Sequence, residues 1–131
     1  MKRLFLLVLI LSICGCSATK YQPAEGSWAG GYKDFKIAPG IYRISFEGNA
    51  YISGEKAYHY TLYRAAEVTK ENNCAWFEII EKDQAARTEY AGCLLGNVEK
   101  PRNAIVIKVF KDNPPENAYF ADDLIKSLNE K

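Results

Sequence analysis

Residues 41–81, IYRISFEGNAYISGEKAYHYTLYRAAEVTKENNCAWFEIIE, hold most of the apolar periodicity of this 131-residue chain. The opening IYRISFE alternates, with Tyr42, Ile44 and Phe46 on one side and Arg43, Ser45 and Glu47 on the other. That is the pattern of a half-buried strand. Gly48-Asn49 follows as a turn signal. A helix is then predicted over residues 55–71, capped by Ser53 and stopped by Asn72-Asn73. At about 100° per residue, Tyr58, Thr61, Leu62, Ala65, Val68 and Thr69 share one arc of roughly a third of the circumference. Small Ala65 beside Leu62 lets such a helix lie close against a sheet. Residues 74–81, CAWFEIIE, are β-rich with no turn residue inside them. Strand, helix and strand make one packing unit, because a helix of this length is marginal without a surface to cover.

Working outward, Tyr32 to Lys36 is expected to pair with the strand at Ile41 across a turn built on Ala38-Pro39-Gly40. Residues 88–95 and 104–110 read as further strands, with breaks at Gly96-Asn97 and at Pro101-Arg102-Asn103. Pro114-Pro115 is expected to open a last helix in which Phe120, Leu124, Ile125 and Leu128 form one stripe. The expected fold is α+β, a two-layer sandwich. It has a mostly antiparallel sheet of four to five strands, a central helix and a C-terminal helix.

Before this unit, MKRLFLLVLILSICGC opens with Lys2 and Arg3 and continues with an apolar run from Leu4 to Ile13. That run is shorter than the roughly 20 residues a spanning helix needs, and it fits a cleaved secretory signal. Ile13-Cys14-Gly15-Cys16 resembles the bacterial lipobox, which places the lipidated residue at Cys16. The resemblance implies diacylglyceryl transfer to the Cys16 thiolate, cleavage before it and acylation of the new amine. Ser17 follows where Asp tends to retain lipoproteins at the inner membrane, so the outer membrane, facing the periplasm, is the expected address. Residues 1–15 are then the signal peptide, 16–29 a lipidated tether without periodicity, and 30–131 one globular domain.

Composition excludes several functions. With Lys2 and Arg3 removed, 15 basic side chains of the original 17 face 16 acidic ones, so the mature chain has no overall electrostatic reason to bind nucleic acid or an anionic leaflet. The single histidine, His59, lies on the polar side of the central helix, so neither a Ser-His-acid triad nor a His-based metal site can be assembled. Asp122 and Asp123 are neighbours in sequence and point to different helix faces. Gly30-Gly31 lacks the spacing of a phosphate loop. No cofactor is implied, and the expectation is a non-enzyme.

Of four cysteines, Cys14 leaves with the signal and Cys16 is lipidated, which leaves Cys74 and Cys93 in a disulfide-permissive compartment. If residues 74–81 and 88–95 form a hairpin that sets Ile80 opposite Arg87, the same register sets Cys74 opposite Cys93. A bond there would stabilise by roughly 3 kcal/mol. The alternative is two thiols that never meet.

Tyr60 and Tyr63 lie off the buried arc, on the face of the helix that carries Lys56, Arg64 and Glu67. They are the candidate interaction residues, either as a binding surface or beneath a cover supplied by the tether or the last helix.

Tyr42-Arg43, Ser45-Phe46 and Gly48-Asn49, with Arg64-Ala65-Ala66-Glu67 and Thr69, resemble a family of short proteobacterial lipoproteins with no established activity. Tyr63 and Cys74 depart from its pattern. In architecture alone the chain is similar to the stress-sensor lipoprotein of the Rcs phosphorelay. These likenesses bear on fold and location alone. With the catalytic arrangements above set aside, the expected function is a non-catalytic interaction or sensor domain held to the bilayer through acylated Cys16, with an envelope protein as partner. The alternative is a glycan- or peptidoglycan-binding module that uses exposed tyrosines.

The anchor is directly testable. Cys16→Ser should abolish lipidation and release the domain from the membrane fraction. Continued partition of the cleaved variant into detergent would show that Cys16 is not the anchor.

Overall fold

The computed structural model describes residues 17–90 and 96–129, apart from the side chains of Arg87, Glu89 and Tyr90. Cys16 and Cys93 therefore lie outside the described residues, as does the leader. The strands are β1 (Gly31–Ala38), β2 (Ile41–Glu47), β3 (Trp76–Tyr90), β4 (Asn97–Phe110) and β5 (Tyr119–Phe120). They form one antiparallel sheet in the order β1-β2-β4-β3-β5. Helices α1 (Gly54–Glu71) and α2 (Ala121–Asn129) cover one face of it. This is the expected two-layer α+β sandwich with a central and a C-terminal helix. Among the described residues, no helix is long and apolar enough to cross a membrane.

Local chemistry sets the helix limits. The Ser53 hydroxyl accepts from the Lys56 N–H at 3.1 Å, satisfying one of the orphan donors of the first turn. At the other end Asn72 is the C-cap and Asn73 takes a left-handed φ of 56°. The Asn72 side chain donates to the Val68 carbonyl at 2.8 Å and accepts from the Tyr42 hydroxyl at 2.6 Å, which joins the helix end to β2.

Leu62, Ala65, Ala66 and Val68 of α1 bury against Ile44, Phe77, Ile105 and Ile107 of the sheet. Full burial of each large apolar side chain is worth about 1.5–3 kcal/mol. Thr61 and Thr69 are also buried, and their hydroxyls donate to the carbonyls of Ala57 and Ala65 at 2.9 and 2.8 Å. Phe46, Ile52 and Ala57 make a second, smaller cluster, against which Tyr32 and Tyr60 pack.

Several expectations are corrected. First, residues 74–81 and 88–95 do not form a hairpin, because residues 76–90 run as one strand paired with β4 along its whole length. The intervening KDQAAR has neither Gly nor Pro to turn the chain. Pro101 does not break β4 either. Its carbonyl accepts from the Gly48 N–H at 2.9 Å, so its nitrogen also faces the β2 side, just past the last β2–β4 pair at Glu47 and Arg102. Secondly, the last helix begins at Ala121, because Tyr119 and Phe120 pair with Phe77 and Trp76 as β5. Ring contacts of 4.7 Å between Trp76 and Phe120 and 5.3 Å between Phe77 and Tyr119 accompany that pairing. Leu124, Ile125 and Leu128 still pack on the core as expected.

Thirdly, the segment expected as a tether is docked. Thr19 is buried, and it exchanges hydrogen bonds with Asn49: the Asn49 N–H donates to its hydroxyl at 2.7 Å, and its own N–H donates to Asn49 Oδ1 at 3.2 Å. Pro23 bridges to Tyr32 in parallel, with Tyr32 N–H donating to Gln22 O at 2.8 Å. Gly30 and Gly31 permit this close approach. At Gly30, φ +92°, a Cβ would stand 2.1 Å from the Glu47 carbonyl oxygen, and at Gly31, φ +151°, 2.3 Å from that of Gln22.

The unbroken β3 has a consequence for the cysteines. Fifteen extended residues span roughly 45 Å. Cys74 precedes that strand and Cys93 lies outside the described residues, so the hairpin register that was to set the two opposite each other is not formed. The Cys74 thiol is free and donates to the Asn72 carbonyl at 3.5 Å. Denatured without reductant, the monomer should take up a thiol reagent at both positions. A monomer that takes up none would show that β3 is interrupted.

Candidate functional site: a tyrosine cleft beside the N-terminal segment

The outer face of α1 carries Lys56, His59, Tyr60, Tyr63, Arg64 and Glu67 at helical spacing. Tyr21, from the docked segment, lies across it. Its ring stacks on Tyr32 of β1 at 4.8 Å, meets Tyr63 edge-on at 4.9 Å and tilts against Tyr60 at 5.5 Å. Tyr60 in turn reaches Phe46 of the smaller core at 5.2 Å, with Lys56 Nζ over the Tyr60 ring at 5.2 Å from its centre. Such ring pairs add about 0.5–1.5 kcal/mol each beyond the area they bury.

Beside these rings is a cleft of about 380 Å³. Tyr21, Tyr60 and Tyr63 form its aromatic wall, His59 and Glu67 stand at its polar side, and Leu128 and Asn129 at the end of α2 close it. Tyr60 and Tyr63 are thus brought together as expected, but both are half-buried, under the cover that the N-terminal segment supplies. His59, on the polar side of the helix as expected, has a side chain that is 26% exposed, and its Nε2 stands 3.9 Å from Glu55 Oε1. Asp122 is bonded to Lys70. Cys74 lies outside this cleft lining. Among the described residues, no group of His, Cys, Asp and Glu side chains is arranged to hold a metal ion.

An ionic hub holds the wall in place. Arg64 Nε donates to Asp34 of β1 at 2.7 Å, and its Nη1 donates to Glu67 at 3.1 Å and Glu71 at 2.8 Å. Its guanidinium also lies 4.8 Å from the centre of the Tyr32 ring. Burial works against this cation, yet the bonds to Asp34, Glu67 and Glu71 outweigh it and hold the guanidinium above its ordinary range. Glu67 Oε2 accepts from the Tyr21 hydroxyl as well. Burial first, and then this carboxylate, push the Tyr21 phenol above its ordinary range. The site is therefore neutral at Tyr21 and ionic at Arg64 across physiological pH. Such an arrangement can hold an apolar or aromatic group against the rings while offering polar atoms at the rim.

Tyr21 is the residue that sequence reasoning missed. Its surroundings, SATKYQPAEG, carry no periodicity. The available signal lay elsewhere, in two large aromatics three positions apart on a charged helix face that needed a cover.

Tyr21→Phe should cost about 1–2 kcal/mol at neutral pH through the lost bond to a charged acceptor. A tyrosine whose folded pKa is raised contributes stability that is complete below the unfolded value, near pH 10, and is lost as pH rises above it. The melting temperature of the wild type should therefore fall more steeply above pH 10 than that of Tyr21→Phe; parallel curves would remove Tyr21 from the hub. No known family model, curated protein or solved structure matches this chain, so the function is argued from the geometry above.

Proposed function

We propose that this chain is a lipid-anchored, non-catalytic domain of the bacterial cell envelope that senses or holds a partner through the tyrosine cleft. The observation that carries the reading is that Tyr21, one wall of the cleft, stands five positions after Cys16. Anchor and cleft share one short segment, so whatever enters the cleft acts directly on the piece of chain that leads to the membrane. An occupant that displaces the Tyr21 ring breaks its bond to Glu67 and loosens the segment from α1. That is a sensor's coupling, carried by contacts between adjacent groups.

The lining supports holding over chemistry. The Glu67 carboxylate is already engaged by Tyr21 and Arg64, and His59 has tyrosines and Glu55 as neighbours. The partner of this reading is an envelope protein that inserts an aromatic or aliphatic side chain. The lipobox resemblance and Ser17 support the outer membrane, facing the periplasm, as the address.

A second reading keeps the same site. The cleft is concave and has the Asn129 amide at its rim, features that suit a sugar ring stacked on tyrosine. A photo-crosslinking residue at position 59 separates the two in intact cells. It should yield a discrete protein adduct that the same residue at the exposed position 112 does not. Adducts that a peptidoglycan hydrolase dissolves would transfer the site to the glycan reading, and identical adducts at both positions would remove the cleft from either.

A further inference from the structure

A second cleft, of about 310 Å³, lies at the end of the sheet where the N-terminal segment enters the fold. The near-neutral total charge gave no reason to expect contact with an anionic leaflet, but the fold gathers a local excess of cations here: the charged lining consists of Lys33, Lys100 and Arg102 with one acid, Glu47. Lys33 pairs with Ser45 and Arg102 with Glu47 in the ladder, so these side chains rise from the sheet face opposite the helices. Over them stands Trp28, 98% exposed.

That tryptophan is presented rather than loose. On its two sides the Ser27 hydroxyl accepts from Gln22 at 2.7 Å and the Ala29 carbonyl accepts from the Thr19 hydroxyl at 2.7 Å. The loop is thus fixed while the indole makes no use of the protein interior. A side chain with an apolar body and one N–H donor, held fully in water, suits a surface that is apolar below and polar above.

The position of the anchor says which surface. Asn49, in the lining of this cleft, donates to the Ser17 carbonyl at 2.8 Å and is locked to Thr19. Cys16 is the next residue, one Cα step of about 3.8 Å away. We infer that this end of the sheet, with Trp28 inserted and Lys33, Lys100 and Arg102 above the headgroups, rests on an anionic phospholipid surface beside the acylated Cys16. The inference depends on the lipoprotein reading and adds an orientation and a lipid preference to it. Acyl chains at Cys16 bring the cleft to the interface, the indole occupies the headgroup level, and the cations offset the anionic lipid charge.

The test uses the full lipidated protein in vesicles of phosphatidylcholine, with or without phosphatidylglycerol. The Trp28 fluorescence is taken as the difference between wild type and Trp28→Phe, a substitution at a fully exposed position. Trp28 should be quenched by a lipid carrying a shallow nitroxide and shielded severalfold from iodide. Both effects should grow with phosphatidylglycerol and weaken in Lys33→Glu with Arg102→Glu. Protein that floats with the vesicles while Trp28 stays open to iodide and insensitive to nitroxide lipid would overturn this inference and leave the anchor intact. Protein that does not float would overturn the anchor and the inference together. Shielding by polygalacturonate alone, without quenching by nitroxide lipid, would assign the cleft to acidic glycans and overturn it too.

Discussion

The seating of α1 on the sheet is the contact on which the remaining structure depends. Ala65 and Ala66 are wholly buried, and their small side chains let the helix approach Ile44, Ile105 and Ile107 closely, as Ala57 does with Phe46 and Ile52. A close-packed seam of this kind has one good azimuth, since rotation would trade buried apolar surface for voids and clashes. That azimuth fixes the outer face as well. Arg64 and Glu67 project toward β1 and Tyr21 only because their neighbours Ala65 and Ala66 are turned into the core.

From that frame, one stretch of thirteen residues, 17–29, acquires two roles. Its Tyr21 completes the aromatic cleft on the helix side, and its Ser27 and Trp28 overhang the cationic cleft on the other. The stretch is held by polar pairing more than by burial: Thr19 with Asn49, Gln22 with Ser27 and the Gly30 carbonyl, Tyr21 with Glu67. Interactions of this type contribute about 1 kcal/mol each. They keep the segment in place at rest and leave it open to displacement by a ligand that competes for the same groups. On the proposed reading, a domain joined to its anchor in this way would feel its partner and its membrane through the same few side chains.

Sequence patterning carried the elements whose determinants are local. The alternation of Tyr42, Ile44 and Phe46, the Ser53 cap and the Asn72-Asn73 stop follow from side-chain spacing along one element and stand where they were expected, as does the buried arc of α1, except that Ala57 and Ala66 join it and Tyr58 is only partly buried. The α+β class was legible for the same reason. So was the need for something to cover Tyr60 and Tyr63, because two rings on a charged face are a mismatch visible without coordinates.

Tertiary structure alone decided the length of β3, the late start of α2 and the docking of residues 17–29. In each case the stabilising partner is distant in the chain. Residues 82–87 extend because β4 pairs with them, Tyr119 and Phe120 leave a helical register because the β3 edge and its rings are there, and Thr19 is buried because Asn49 meets it from 30 positions away. Spacing within a segment reports what that segment prefers by itself. It cannot report a backbone or side-chain group that another strand will supply, and the two candidate clefts are built from such meetings.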